Sequence, residues 1–152
     1  MALAVRRNEQ EQMRMGSHLI RREALSRIVD PAGFFRDLAL LHDARVEGVE
    51  WLGESVVISV DDLYSGFLGL PEYPGLTAAS IVFGRVKEFN LNSEPAGEKL
   101  SVFDIDLRHG PSDNTLAVEI SLAPGGRIRI RCETIEGDFD PDAARNAVRS
   151  DD

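Results

Sequence analysis

Three runs of alternating apolar and polar residues between positions 100 and 135 are the clearest pattern in the chain. Their apolar members are Phe103, Ile105 and Leu107, then Leu116, Val118, Ile120 and Leu122, then Ile128, Ile130 and Cys132. A period of two buries one face of a strand and exposes the other. The Ala-Pro-Gly-Gly sequence at 123–126 is typical of a tight turn. The pattern therefore predicts three sequential antiparallel strands.

The polar positions of these runs carry opposite charges on neighbouring strands. The acids are Asp104, Asp106 and Glu119, and the bases are Arg127, Arg129 and Arg131. Such cross-strand pairs contribute roughly 0.2–1 kcal/mol each. Two interpretations remain open: a solvated face that stabilises itself, or an arginine row that is available to an acidic partner.

Shorter patterns fill the first half of the chain. Strands are predicted at 44–51 and 56–60, paired as a hairpin with a bulge at Gly48, and at 80–89 with a further bulge at Gly84. Residues 63–76 are too rich in glycine and proline for a regular element and too apolar for a linker, so we expect an ordered lid.

Helices are predicted at the front of the chain and near its end. Apolar spacing favours one helix from 17 to about 29, and Asp30-Pro31 is typical of the start of a second that runs to about Leu41. Asp140-Pro141 indicates a short helix within an acidic C-terminal tail, 139–152. Residues 1–16 are predicted to be a flexible arm, and 17–138 a single domain.

Together these elements predict an α+β fold. We expect a mainly antiparallel sheet of about six strands, curved by glycine bulges into a half-barrel or a sandwich. One or two N-terminal helices would cover an open side.

Composition narrows the classes of function. Residues 30–152 hold 11 basic and 23 acidic side chains, a net charge of −12, which argues against a general binder of nucleic acid or anionic membranes. The single cysteine, Cys132, fits a reducing compartment and lies on the apolar side of its strand, so a buried structural thiol is expected. There is no apolar run of the length that a membrane span needs and no secretory signal, which predicts a cytoplasmic protein.

His42-Asp43 is the most prominent pair of titratable residues. A carboxylate beside a histidine can hold it as an ion pair or a general base. Adjacent strand residues point to opposite faces, however, and a histidine at a helix end also interacts with the last carbonyl groups. Capping is the favoured interpretation.

Four carboxylates could gather into a divalent-metal site, namely Asp61, Asp62, Asp104 and Asp106. The alternative is a strand end together with a solvated sheet face. No calcium-loop, zinc, nucleotide-binding or nucleophile motif accompanies them. No catalytic residue, resident metal or cofactor is therefore predicted.

Aromatic residues are concentrated around the predicted lid. They are Trp51, Tyr64, Phe67 and Tyr73. Most aromatic side chains belong to the core, but exposed ones would mark a partner-binding patch. Tyr64 and Tyr73 are therefore candidate binding residues, as are His42, Asp43, Asp61, Asp62 and the three arginines Arg127, Arg129 and Arg131.

The order of these signals resembles a group of small bacterial β-sheet proteins, some of which are immunity proteins of toxin systems. The resemblance lies in Leu41-His42-Asp43-Ala44 and the strand after it, in 56–62, in 81–83 and in 128–135. It implies a compact β fold that acts without catalysis by binding a protein. A non-catalytic, immunity-type binding module is thus the leading hypothesis. The alternatives are a homo-oligomer that packs through residues 17–41, and a small-ligand or metal-dependent site that uses His42 with the four carboxylates.

Overall fold

The computed structural model describes residues 25–93, 100–110 and 114–148, together with the backbone of three short strands nearer the N-terminus. The helices are α1 (Pro31–Asp37) and α2 (Pro141–Ala147), and 3₁₀ turns lie at Ala39–Leu41 and Ser65–Phe67. The strands are β1 (Val5–Arg7), β2 (Arg14–Met15), β3 (His18–Leu19), β4 (Ser26–Arg27), β5 (Val46–Leu52), β6 (Ser55–Val60), β7 (Ala79–Gly84), β8 (Glu88–Ser93), β9 (Ser101–His109), β10 (Leu116–Ala123), β11 (Gly126–Cys132) and β12 (Thr134–Gly137).

Two main sheets divide these strands. The first has the order β1-β5-β6-β7-β12-β4, and the second has the order β8-β11-β10-β9. Only β1, which is parallel to β5, departs from antiparallel pairing within them. The predicted α+β fold rich in antiparallel strands is confirmed, as are the three strands of the central stretch. The single sheet of about six strands is wrong.

The chain passes between the sheets at two points that sequence periodicity does not reveal. The predicted strand at 80–89 is in fact β7 followed by β8, because Arg85 turns the backbone with a φ of 53°. Glu133 likewise separates β11 from β12. Gly84 ends β7 where an added Cβ would lie 2.3 Å from the Thr134 hydroxyl oxygen. A side chain there would force the corner between the sheets open.

Backbone hydrogen bonds also join β9 of the second sheet to the chain just before β5. The amide of Asp43 donates to the Val102 carbonyl (2.8 Å), and the amide of Val102 donates to the Ala44 carbonyl (2.7 Å). Both sheets contribute to one apolar core. Its completely enclosed side chains include Phe34, Phe35, Leu38, Leu63, Phe83 and Ile128.

The helices follow the sequence signals in part. The Asp30 side chain accepts a hydrogen bond from the Gly33 amide and caps α1, but the helix ends at Asp37 rather than at Leu41. The helix predicted for 17–29 is wrong at Ser26–Arg27, which pairs with β12. Asp140 caps α2 as predicted. Most of the predicted arm, 1–16, and the residues after 148 lie outside the described part.

Candidate functional site

Asp62 organises the chain between β6 and β7, residues 63–78, which we call the lid loop. Its carboxylate is buried, and Oδ1 accepts from the amides of Tyr64 and Thr77, both at 3.1 Å. Oδ2 accepts from the Tyr73 hydroxyl at 2.7 Å. One carboxylate therefore ties the beginning, the middle and the end of the loop together.

The base of the lid loop is fixed to the rest of the fold by further hydrogen bonds. The Leu63 amide donates to the Thr77 carbonyl at 2.7 Å. The buried Tyr64 hydroxyl donates to the Ala144 carbonyl of α2 at 3.1 Å, and the Ser65 hydroxyl donates to the His42 carbonyl at 2.7 Å. The ordered lid that composition predicts is thus supported by both tertiary and local contacts.

Leucines, not aromatic residues, form the outside of this loop. Leu68, Leu70 and Leu76 are 70%, 51% and 76% exposed, whereas Tyr64 is 5% exposed and Phe67 and Tyr73 are partly buried. The described residues contain five strongly exposed large apolar side chains, and the lid loop supplies three of them. Because the loop is internally bonded, this exposure belongs to an ordered surface.

A fourth exposed apolar residue, Phe103, lies beside His42. Their rings are 5.7 Å apart in an edge-on arrangement, and His42 Nδ1 is 3.0 Å from the Phe103 carbonyl oxygen. Nε2 of the histidine is 3.6 Å from Asp43 Oδ1. The expectation that these neighbours would point apart is wrong, because Asp43 has a φ of 72° and the backbone turns there. His42 thus packs on Phe103, while its carbonyl holds the lid loop.

A left-handed turn precedes this histidine. Ala39, Leu40 and Leu41 have φ values of 57°, 56° and 54°, a conformation that costs L-residues roughly 1–2 kcal/mol each. The 3₁₀ turn of the lid loop packs directly on it, since a Cβ added at Gly66 would lie 2.6 Å from Ala39 Cβ. The buried Leu41 and this close contact hold the turn in place.

The carboxylates proposed as metal ligands have separate structural roles. Asp61 Oδ1 accepts from the Arg45 amide at 2.8 Å, and Asp62 holds the lid loop. Asp104 and Asp106 lie on β9, where Asp106 binds Arg108 at 2.9 Å. Among the described residues, no three His, Cys, Asp or Glu side chains lie together in a way that could hold a metal ion.

The arginines of β11 contact acids of their own sheet. Arg127 and Arg129 lie 3.4 and 3.5 Å from the two carboxylate oxygens of Glu119, and Arg131 lies 3.8 Å from Glu88. All three arginines are about half exposed. This geometry is the one expected of a face that neutralises its own charge.

Three side chains have shifted acidities that follow from these surroundings. The hydrogen bond to Asp62 raises the pKa of Tyr73 to about 12, and burial, followed by the charge of Asp62, raises the pKa of Tyr64. Burial, and secondarily Glu133, raises the pKa of the Cys132 thiol to about 12. The predicted burial of this thiol is confirmed.

Sequence reasoning missed Leu68, Leu70, Leu76 and Phe103. A usable signal existed in the lid loop, because Leu-Gly-Leu-Pro cannot continue a strand or helix that would bury both leucines. The sequence held no such signal for Phe103, because this residue continues the apolar alternation of β9. In the structure, however, its side chain lies on the exposed face of the strand.

Comparison of the sequence with protein-family models and with curated proteins gives no match. Within the described residues, no helix is long and apolar enough to cross a membrane.

Proposed function

We propose that the protein is a non-catalytic binding module that docks a protein partner through the lid loop. The observation that carries the proposal is the outward presentation of Leu68, Leu70 and Leu76 by a loop that the buried Asp62 carboxylate holds together. Exposed apolar groups on an ordered frame mark interaction sites, because binding then requires little additional ordering.

The charge of the loop defines the kind of partner. Residues 61–78 contain Asp61, Asp62 and Glu72 and no lysine or arginine. Glu72 is exposed beside the leucines. A complementary partner has an apolar cleft that receives the leucines and a basic rim that attracts the exposed Glu72, which speeds association and fixes orientation.

An immunity-type role follows if that cleft belongs to a bacterial toxin. This role is supported by the resemblance of 41–44 and the strand after it, 56–62, 81–83 and 128–135 to a group of small bacterial proteins, some of which are immunity proteins, and an acidic body suits a basic cleft. The module would then act in the bacterial cytoplasm by occluding the toxin's cleft, without any chemistry of its own.

Site-specific crosslinking in the native lysate tests the proposal. A photoreactive residue at Leu70 should crosslink one partner protein, whereas the same residue at the exposed Ala117 of the second sheet should not. Self-adducts alone, no adduct, or equal capture from both positions would refute the proposed docking surface.

Affinity measurement with the purified partner completes the test. Leu68→Ser combined with Leu70→Ser should raise the Kd by about thirtyfold or more, because full burial of a leucine side chain is worth about 1.5–3 kcal/mol. The control is Arg127→Ser combined with Arg129→Ser, on the charged face of the second sheet. It should change the Kd by less than about threefold. If the partner is a toxin, co-expression of wild-type protein restores growth and the leucine variant does not.

A further inference from the structure

We propose that β8 pairs with β8 of a second copy, so that two second sheets join into one continuous antiparallel sheet. In the described part of the chain, β8 binds β11 on one side and is the outermost strand of its sheet. Alternate amides and carbonyls of such a strand point outward and form a template for another strand.

The side chains of β8 leave this edge accessible to pairing. The other outer strand, β9, is already hydrogen-bonded at its start to the chain before β5, and it carries Asp104, Asp106 and Arg108 on its polar face, where charges discourage strand addition. The corresponding face of β8 has two asparagines, Asn90 and Asn92, and a single charge at its first residue. The two edges therefore differ in protection.

Apolar side chains near the edge also remain partly uncovered. Phe89 and Leu91 lie on the core side of β8, opposite Ile130 and Ile128, yet both are only partly buried. Trp51 of β5 packs edge-on against Phe89, with ring centroids 5.5 Å apart. A strand added beside β8 would extend this apolar layer.

A second copy of β8 is the partner strand whose side chains match those of β8 on both faces of the sheet. Antiparallel pairing centred on Asn90 places Phe89 opposite Leu91 of the second copy and Glu88 opposite its Asn92, so that apolar meets apolar and no like charges face each other. The net charge of −9 on each copy opposes association only weakly at physiological salt, where screening acts over about 8 Å.

Sedimentation analysis over a wide concentration range tests this pairing. Wild-type protein should dimerise, and Asn90→Lys should weaken the dimer about tenfold or more, because two lysines would face each other across the two-fold axis. Asn146→Lys is the matched control, since Asn146 is exposed on α2 and the charge change is the same. A monomeric wild type at every concentration, or equal dimerisation of both variants, overturns the proposal.

A covalent readout separates this dimer from any other. Asn90→Cys should form an intermolecular disulfide under mild oxidation, because directly paired residues of adjacent strands bring their Cα atoms within disulfide distance. Asn146→Cys should not, and the native Cys132 is buried. A dimer that forms without the Asn90→Cys disulfide uses another surface and refutes the β8 pairing.

Discussion

The lid loop and the outer face of the second sheet orient their polar and apolar side chains in opposite ways. In the lid loop, the Tyr73 hydroxyl and the amides of Tyr64 and Thr77 point inward to Asp62, and leucines point outward. On the sheet, the apolar groups other than Phe103 point mainly inward and charges point outward, where Glu119 lies between Arg127 and Arg129.

This difference indicates where binding energy is available. Charges that already contact acids of the same sheet gain little from a new partner, since exposed ion pairs contribute only about 0–1 kcal/mol. An exposed leucine gains about 1.5–3 kcal/mol when a partner buries it fully. The lid loop is therefore the better candidate for docking, although the arginine row is the stronger signal in the sequence.

Removal of the Asp62 carboxylate is the most severe test of the comparison. Asp62→Ala leaves the Tyr64 and Thr77 amides without their acceptor, so we expect a loss of about 3 kcal/mol in the free energy of unfolding, measured in urea. Asp61→Ala, which removes one exposed bond to the Arg45 amide, should cost about 1 kcal/mol. Equal losses would show that Asp62 has no special role in the loop.

The contact between the lid loop and the left-handed turn allows a second test. Gly66→Ala places a methyl group 2.6 Å from Ala39 Cβ, and we expect it to cost about 1–3 kcal/mol of stability through overpacking. Gly69→Ala faces open space, but its φ of 88° makes the conformation strained, which should cost about 1 kcal/mol. If Gly66→Ala is neutral in thermal unfolding, the loop does not rest on this turn.

Much of the fold can be read from the sequence because alternation and turn residues act locally. The bulge at Gly48, the hairpin at 123–126 and the Asp140 cap all appear as expected. The division into two sheets cannot be read in this way. The chain changes direction at Arg85 and Glu133 because of packing between residues that are distant in the sequence. Ile28 shows the same limit: its spacing predicts a helix, but its backbone amide donates a hydrogen bond to the Ile135 carbonyl.

The candidate site is less predictable than the fold. Asp61 and Asp62 look like equivalent ligands in sequence, but Asp61 accepts from the Arg45 amide, whereas Asp62 accepts from Tyr73 and Thr77, which lie 11 or more residues away from it. The leucines became candidates only when the loop conformation showed which side faces solvent. Sequence identified the loop, and tertiary contacts determined its surface.

Alkaline titration tests the hydrogen bond between Tyr73 and Asp62 without a substitution in the core. The folded-state pKa of Tyr73 is about 12, above its ordinary value of 10.0, so its stabilising contribution is complete below pH 10.0 and is lost as pH rises through about 12. Ultraviolet absorbance of tyrosinate should show this late transition, and Tyr73→Phe should remove the Tyr73 contribution and leave that of Tyr64, whose pKa burial also raises. A Tyr73 that ionises near its ordinary pKa would mean that Asp62 does not hold the middle of the loop.

The smallest effect on the free energy of unfolding is expected on the charged outer face of the second sheet. Glu119→Gln removes the acid shared by Arg127 and Arg129, yet Glu119 is 38% exposed, so the free energy of unfolding should fall by less than about 1 kcal/mol and the loss should shrink in high salt. Glu88→Gln, at the more exposed contact with Arg131, should be nearly neutral. A salt-independent loss of more than about 2 kcal/mol for Glu119→Gln would mean that this face, like the lid loop, depends on a specific carboxylate, and the contrast between the two surfaces would no longer hold.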